Sequence, residues 1–370
     1  MPEGQHRIST LNAAVGTVLL LGAAGANALA TEGIPDPPAP PFAERSLQIL
    51  HVPLFDFGPA DPSSLAPGAS TWALSGADAN TYVTTWHLRT VHAASAFRGR
   101  PISTEEVSYI HEAFGSDLVL FIDGEVARSA AKGRLGLTRS LSLSVEIPYI
   151  WHGGAGVTNF VEGFHRALGE AQNGRDEFPA GRFTVVLQAP NRAMTFLDFE
   201  PHSGIGDVTA TLSWRRPRSE SGWTLGVDLA GKAPTGSASS LNGSGEWDGG
   251  LLLFALCERG RWTLEGDASV VVPGGWKSPL PLDPVPAGRL LVSAIYDLGR
   301  TTRMGLSVIL AQSPFRNSNY GPLSETGMEF GLGIERDLGP RLAARFTLRE
   351  HGPLSGDRAD FGVGIALRYR

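Results

Sequence analysis

The amino-acid sequence predicts an all-β fold, a single antiparallel up-and-down transmembrane β-barrel of about twelve strands. Three observations predict it. Apolar and polar residues alternate along about twelve segments, each near the length of about 9 to 11 residues that a tilted strand needs to cross a bilayer. The links between the segments are alternately short and long, and aromatic residues fall at both ends of the apolar faces. A water-soluble sandwich would also alternate, but it has no reason to keep this rhythm of links.

The N-terminal residues predict an export signal. The apolar run AAVGTVLLLGAAGA, residues 13–26, is followed by ALA at 28–30, and small residues are typical of a cleavage site. We expect a cleaved signal peptide at 1–30 that directs the protein to the bacterial outer membrane. A Pro-rich periplasmic leader is predicted at 31–68, because IPDPPAPP favours an extended spacer. The barrel is predicted at 69–370.

The predicted strands follow in order. In SLSLSVEIPYIWHGG, residues 140–154, one face is purely apolar and ends in Tyr149 and Trp151, because successive side chains point to opposite sides of a strand. For the first strand, STWALSGADANTY and TYVTTWHLRT compete. The segments lie within 70–92 and near 124–137, 139–151, 204–216, 222–233, 247–258, 261–272, 287–298, 303–312, 325–338, 341–350 and 359–369.

Charged side chains gather on the faces opposite the apolar ones. A basic residue on the lipid side at mid-bilayer costs about 2 to 4 kcal/mol, so we assign the apolar faces to lipid and the charged faces to the lumen. In LLLFALC, residues 251–257, both faces are apolar, which indicates a dry interior or contact with a loop. The predicted lumen-lining charged residues are Arg128, Lys132, Arg134, Glu146, Asp207, Asp228, Lys232, Glu265, Asp267, Arg289, Asp297, Arg345, Arg349 and Arg368.

Some of these basic residues are predicted to lie on one wall of the lumen. Closing the barrel brings the last strands beside the first, so Arg345, Arg349 and Arg368 would join the basic residues of the second strand. Two interpretations stay open. The basic wall attracts anions, or its residues form internal ion pairs that fill a narrow lumen.

The link at 152–203 is predicted to be a long extracellular loop, far longer than a connection needs. Its first part can form a short helix with Phe160, Phe164 and Leu168 along one face, and RFTVVLQAPNRAMTFLDF predicts a hairpin. The loop is a candidate lid or plug, or a surface for a partner. A packed outer loop without a ligand is an equal alternative.

Other classes of function find less support. The formal net charge of -6 argues against nucleic-acid binding, and no His, Cys or carboxylate spacing indicates a metal site. The hydrolase hypothesis rests on His152, His165, His202 and Ser203. Adjacent residues such as His202 and Ser203 point to opposite sides of a strand, so no Ser–His pair is predicted. We expect no enzyme activity and no cofactor.

Several stretches resemble, in this order, an uncharacterised bacterial family known as domain of unknown function 3187. They span about residue 50 to the C-terminus, and VEGFH and NGRDEFP are the most specific. The resemblance implies an outer-membrane-type barrel of Gram-negative bacteria and supplies no catalytic residues. The stretches are HVPLFDFGPADPSSLAPG, IDGEVARSAAKGRLGLTRSLSLSVEIPYIWHGG, FVEGFHRALGEAQNGRDEFP, SGIGDVTATLSW, LAGKAPTGSASSLNGSGEWD and AQSPFRNSNYGPLSETG.

The sequence thus predicts a narrow or gated outer-membrane pore, with membrane lipid and small polar solutes as its partners. The first alternative is a structural or surface-interaction barrel with a filled lumen. The second is a lipid-active enzyme, which would require a serine and a histidine in contact near the outer membrane boundary.

Overall fold

The fold was analysed in a computed structural model of the chain. The structure describes residues 42–94, 98–114, 118–153, 157–159, 163, 175, 178–179, 182–188, 194–216, 222–355 and 361–369. The strands are β1 (Ser70–Thr84), β2 (Val119–Gly136), β3 (Leu141–Gly153), β4 (Phe183–Gln188), β5 (Thr195–Phe199), β6 (His202–Ile205), β7 (Val208–Arg215), β8 (Trp223–Ala233), β9 (Asp248–Arg259), β10 (Trp262–Pro273), β11 (Ala287–Asp297), β12 (Thr302–Ala311), β13 (Gly327–Asp337), β14 (Leu342–Ser355) and β15 (Phe361–Tyr369). The helices are α1 (Trp86–Ala94), α2 (Thr104–Phe114) and the single turn α3 (Gly321–Ser324).

Twelve of these strands form the closed antiparallel barrel that the sequence predicts. The order around the barrel is β1, β2, β3, then β7 to β15, and every neighbouring pair is antiparallel. The last strand closes on the first through pairs that run from Trp72 opposite Tyr369 to Asn80 opposite Phe361. Closure leaves none of these twelve strands as a free edge, which is what a lipid environment requires of strands.

The two faces of the wall separate as predicted. Along β8, exposed and buried residues alternate, with Leu229 59 % exposed and its neighbour Ala230 buried. Aromatic residues mark both ends of the outer face, with Trp214, Trp223 and Trp262 at one end and Tyr149 and Trp247 at the other. Aromatic rings favour the two membrane interfaces, so this outer face has the composition of a lipid-exposed belt.

The links define two ends of the barrel. At the short-turn end, β2–β3, β7–β8, β9–β10, β11–β12 and β13–β14 are joined by two to seven residues. The shortest is Gly260 and Arg261, where Gly260 has a φ of 64°, a conformation that glycine adopts without steric cost. The other end, the long-loop end, carries links of 13 residues or more, apart from the five residues between β14 and β15. Outer-membrane barrels have their short turns on the periplasmic side.

Structure beyond the barrel gathers at the long-loop end. These added strands form an extension of the wall. The first residues of β2 pair with β4, which pairs with β5, and the last residues of β3 pair with β6. Helices α1 and α2 pack on this extension through Leu88, Val91 and Ile110. The competition for the first strand is thereby resolved, because TYVTTWHLRT ends β1 at Thr84 and then begins α1. No helix among the described residues is long and apolar enough to cross a membrane.

The expected periplasmic leader requires a correction. Residues 42–68, which we call the plug, lie inside the barrel rather than outside it. Phe42, Leu47, Ile49 and Leu50 are at most 1 % exposed, and the plug makes hydrogen bonds to inward side chains of β2, β7, β8, β11 and β14. The physical reason is the apolar content of this segment, which is buried only where a surrounding wall covers it. The predicted signal peptide at 1–30 and residues 31–41 lie outside the described residues.

Candidate functional site

The plug runs through the lumen from the short-turn end toward the long-loop end, which we call its rising limb, and then back to the short-turn end, which we call its descending limb. Phe42 packs against Ile295, Gly305 and Gly333, all within four residues of the short-turn ends of their strands. Leu50 and Leu54 belong to a cluster at the long-loop end. Gly68 then returns to the short-turn end, where its amide donates to the carbonyl of Gly136. Both ends of the plug therefore lie at the short-turn end, and its tip lies at the long-loop end.

The wall is shaped to receive Phe42. A Cβ atom on Gly333 would lie 2.1 Å from Cδ1 of Phe42, and one on Gly305 would lie 2.5 Å from its Cδ2. Real Cβ atoms do not approach other atoms so closely, so only glycine leaves room for the ring. The guanidinium of Arg345 lies 4.8 Å from the centre of the same ring. The ring of Phe42 thus packs between Gly305 of β12, Gly333 of β13 and the guanidinium of Arg345.

The tip of the plug is a compact turn built around Gln48. The Oε1 atom of Gln48 accepts hydrogen bonds from the amides of Leu50 at 2.6 Å and His51 at 3.0 Å. Nδ1 of His51 lies 3.2 Å from Oγ of Ser46 on the rising limb. The amide of Ser46 donates to Asp56 on the descending limb at 3.0 Å. These bonds join the two limbs into one unit.

Five cationic side chains of the wall hold the plug by its backbone. Each donates a hydrogen bond to a different main-chain carbonyl, so the contact depends on the path of the plug more than on its side chains. Hydrogen bonds to charged groups contribute about 1.5 to 3 kcal/mol each. The five pairs are Arg349 to Arg45 (2.9 Å), Lys232 to Pro53 (2.9 Å), Arg289 to Phe57 (2.7 Å), Arg215 to Asp61 (2.8 Å) and Arg134 to Ser63 (2.7 Å).

Ion pairs add to this attachment. Arg45 of the plug lies 3.2 Å from Glu146 of β3, which also pairs with Arg128 of β2. Asp61 of the plug lies 3.2 Å from Arg134. Burial alone would raise the pKa of Asp61, but the guanidiniums of Arg134 and Arg368, with hydrogen bonds from Ser63, hold this pKa below its usual value. The Asp61 carboxylate is therefore stabilised in its charged form.

Other predicted charges pair within the wall itself. Glu335 receives Arg345 at 2.7 Å and Arg368 at 2.9 Å. Lys232 lies 2.9 Å from Asp248, and it also pairs with Asp207. A second group on β10 behaves differently. The four carboxylate oxygens of Glu265 and Asp267 are buried without a hydrogen-bond partner among the described residues.

All fourteen predicted lumen residues lie on the described part of the chain. Nine are buried, and Arg128, Lys132, Glu146, Asp297 and Arg368 are partly exposed. Asp297 stands apart at the short-turn end of β11, where it pairs with Arg303 at 3.4 Å. Ion pairing, one of the two interpretations of these charges, accounts for many of them. Their role toward a solute stays a prediction.

The sequence missed the plug residues that complete this site. The missed residues include Phe42, Arg45 and Asp61, and they lie in irregular chain without a period of two or of 3.6. One signal was present. Leu252, Phe254 and Leu256, which give β9 its second apolar face, pack against Phe55 and Phe57 of the plug. A doubly apolar strand in an otherwise polar lumen indicates an apolar segment inside.

The long-loop end is closed by apolar side chains. Ile49, Leu50 and Leu54 of the plug tip share one cluster with β2, β3 and β4. Leu280 and Leu282 from the β10–β11 link, and Phe315 from the β12–β13 link, complete it. The candidate lid residues Phe160, Phe164 and Leu168 lie outside the described residues, so their role stays a prediction.

The candidate hydrolase residues do not assemble in the described part of the chain. Oγ of Ser203 lies 2.7 Å from the hydroxyl of Tyr149. The ring of His202 stacks near that of His152 at 4.9 Å, and its two nitrogens lie 3.0 and 2.9 Å from the carbonyl oxygens of Glu200 and Ser240. His165 lies outside the described residues.

A closed twelve-stranded antiparallel barrel with an apolar outer belt defines the class of outer-membrane-type β-barrel proteins. Within this class, the chain belongs to the family described as protein of unknown function (DUF3187), whose model matches residues 114–370. No curated protein matches the chain.

Solved structures of similar architecture are outer-membrane barrels. The COG4313 outer membrane channel from Pseudomonas putida F1 is 12 % identical, with a TM-score of 0.52 over 85 % of this chain and 99 % of that chain. The toluene transporter TodX from Pseudomonas putida is 11 % identical, with a TM-score of 0.41 over 90 % of this chain and 99 % of that chain. At 12 % identity, the similarity to the COG4313 channel supports the fold alone.

Proposed function

We propose that the protein is a gated outer-membrane channel for small polar solutes, closed in this conformation by the plug. The observation that carries the proposal is the attachment of the plug by five wall cations to its main-chain carbonyls. Water can replace such hydrogen bonds when the plug moves, so the net loss per bond is smaller than the energy of the bond itself. After the plug leaves, the charged side chains of such a wall can be hydrated by water in the lumen.

The proposal makes the plug, rather than the 152–203 loop, the principal gate. The loop region keeps a supporting role, since the apolar cluster at the long-loop end includes both the plug tip and β4. Opening then requires the tip to leave this cluster. Export by a cleaved signal peptide at 1–30 is part of the proposal.

The test is a reversible lock on the plug. Leu47 of the plug packs against Ala79 of β1 in a buried cluster, and Cys257 is the only cysteine of the chain. The variant Leu47→Cys/Ala79→Cys, made with Cys257→Ser, should form a disulfide between plug and wall. In a planar bilayer we expect conductance steps from the reduced protein and none from the oxidised protein.

A matched control uses a cysteine pair that does not involve the plug. Leu229 and Leu251 are register partners on the outer face, so Leu229→Cys/Leu251→Cys in the Cys257→Ser background joins two neighbouring strands only. Its oxidation should leave conductance unchanged. If the two oxidised variants behave alike, the plug is not the gate.

The second candidate is a structural barrel with a permanently filled lumen. The apolar cluster at the long-loop end favours it, because removing several buried apolar side chains from one another costs about 1.5 to 3 kcal/mol each. Silence of the reduced lock variant at every applied voltage would support this candidate against the channel. The proposal includes no catalytic step.

A further inference from the structure

A charged cavity of about 170 Å³ lies beside the plug in the part of the lumen that extends toward the short-turn end. Its wall includes Lys132 and Arg134 of β2 and Arg368 of β15, and the plug contributes Arg45 and Asp61. The cavity therefore lies between both limbs of the plug and the basic wall that the sequence predicts.

Cations outnumber carboxylates around this cavity. Seven lining residues are Arg or Lys and five are Asp or Glu, which leaves a formal surplus of two positive charges. The carboxylates are also shared. Glu146 serves both Arg45 and Arg128, and Glu335 serves Arg303 as well as Arg345 and Arg368.

Glu44 is one of the five acidic residues at the cavity. It lines the cavity on the rising limb of the plug. Burial raises the pKa of Glu44 although Arg349, Arg345 and Arg128 act in the opposite direction. Burial disfavours the charged form of a carboxyl group, whereas these three guanidiniums favour it.

Lys132 provides an ammonium group that makes no hydrogen bond among the described residues. The chain has three lysines. Lys232 is buried between Asp207 and Asp248, and Lys277 is exposed and pairs with Glu246 at 2.8 Å. Lys132 is opposite Glu146 in the β2–β3 register, and the two charges interact. Among the described residues, however, no carboxylate oxygen lies within ion-pair or hydrogen-bond distance of its ammonium.

We propose that this cavity binds a small oxyanion, a phosphate or carboxylate group, with the ammonium of Lys132 as its principal contact. The size is suitable, since a cavity of roughly 150 Å³ can hold a benzene-sized molecule. The inference rests on the proposed function in one respect, because it names the class of solute that the channel would pass. Binding itself does not require an open channel.

The test is protection of Lys132 from a small amine-acylating reagent. The intact protein, refolded in detergent, is treated with inorganic phosphate, with acetate or with chloride alone, at one ionic strength. Peptide mass spectrometry then reports acylation of Lys132 and of Lys277. We expect phosphate or acetate to slow acylation of Lys132 severalfold and to leave Lys277 unchanged.

The two oxyanions distinguish the possible ligand groups. Protection by phosphate alone indicates a phosphate site, protection by acetate alone indicates a carboxylate site, and protection by both indicates a general oxyanion site. Equal acylation of Lys132 with and without both anions would overturn the proposal. Failure of Lys132 to react under any condition would also overturn it, because the ammonium would then be inaccessible.

A pair of variants separates the site from general charge. Lys132→Gln should weaken oxyanion binding in titration calorimetry by roughly tenfold, the loss expected for one charge-assisted hydrogen bond. Lys277→Gln removes a lysine charge far from the cavity and should leave binding unchanged. Equal affinities of the two variants would contradict the site.

The same measurements on the oxidised lock variant distinguish this inference from the proposed function. Oxyanion binding to the locked protein, without conductance from the reduced form, would contradict the channel and leave the site intact. Conductance without protection of Lys132 would contradict the site and leave the channel intact.

Discussion

Replacing Lys232 by methionine tests how strongly buried charge holds the plug tip. Lys232 is 3 % exposed, and its ammonium donates to Oγ of Ser244 at 2.6 Å and to the carbonyl of Pro53 at 2.9 Å. It is also the counterion of Asp207 and Asp248, which are themselves buried. Lys232→Met would leave these two carboxylates facing each other without a cation.

The expected loss follows from this geometry. Removing one partner of a buried ion pair costs about 3 to 5 kcal/mol, mostly because the remaining charge is left buried and uncompensated. Backbone amides moderate the cost, since Asp207 accepts from Gly236 at 2.7 Å and Asp248 accepts from Phe55 at 2.9 Å. We therefore expect Lys232→Met to lower the free energy of unfolding by about 3 kcal/mol, the lower end of that range.

The assay is reversible urea unfolding of the refolded protein in lipid vesicles, followed by tryptophan fluorescence. Two controls accompany it. Lys277→Met breaks an exposed ion pair and should cost less than about 1 kcal/mol. The triple variant Lys232→Met/Asp207→Asn/Asp248→Asn removes all three charges and should recover most of the lost stability. A loss below about 1 kcal/mol for Lys232→Met, or no recovery in the triple variant, would refute this account of the tip.

Three further outcomes are expected. Gly333→Ala should displace Phe42 and raise channel opening in bilayer recordings. Gly231→Ala, which adds a Cβ with nothing within 4 Å on the outer face, should leave channel opening unchanged. Equal conductance of the two variants would contradict the role of Gly333 in making room for Phe42. The pKa of Asp61 is lowered in the folded protein. The ionised carboxylate therefore stabilises the fold above the unfolded pKa of about 3.9, and this contribution is lost as the pH falls below that value. The free energy of unfolding measured against pH should show this loss for the wild type but not for Asp61→Asn. Phe254→Ala should lower the free energy of unfolding by about 3 to 5 kcal/mol. The reason is that the ring packs on Phe55 and Phe57, and its centre lies 4.5 Å from the guanidinium carbon of Arg215. The same change should cost clearly less in a background that also carries Phe55→Ala and Phe57→Ala.

The sequence predicts the barrel wall closely because alternation is a local property. A strand such as β8 carries its own inside and outside in the order of its residues, so the twelve strands and the inward placement of their charges follow without knowledge of any partner. The first strand shows the limit. TYVTTWHLRT is rich in residues that favour strands, yet Leu88 and Val91 have the spacing of a helix and lie on the buried face of α1.

The plug could not be predicted in the same way. Its contacts join residues far apart in sequence, such as Arg349 with Arg45 and Arg289 with Phe57, and irregular chain has no period that reveals a buried face. The prolines at 34–41 favour an extended spacer, but this interpretation does not hold from Phe42 onward, where the chain is buried in the lumen. Alternation along the strands places Glu146 and Arg134 inside the barrel, but it does not reveal that some of their partners come from the plug.

The hairpin path of the plug has a mechanical consequence. Both ends of the plug, Phe42 and Gly68, lie at the short-turn end, so a pull directed out of that opening would extract the segment without threading it through the wall. Tension applied ahead of Phe42 would load the contacts one after another, first Phe42, then Arg45, then the tip, in the manner of a zipper. Contacts that break in sequence yield at a lower force than contacts that share the load, so a plug with many contacts at rest would still yield to a directed pull.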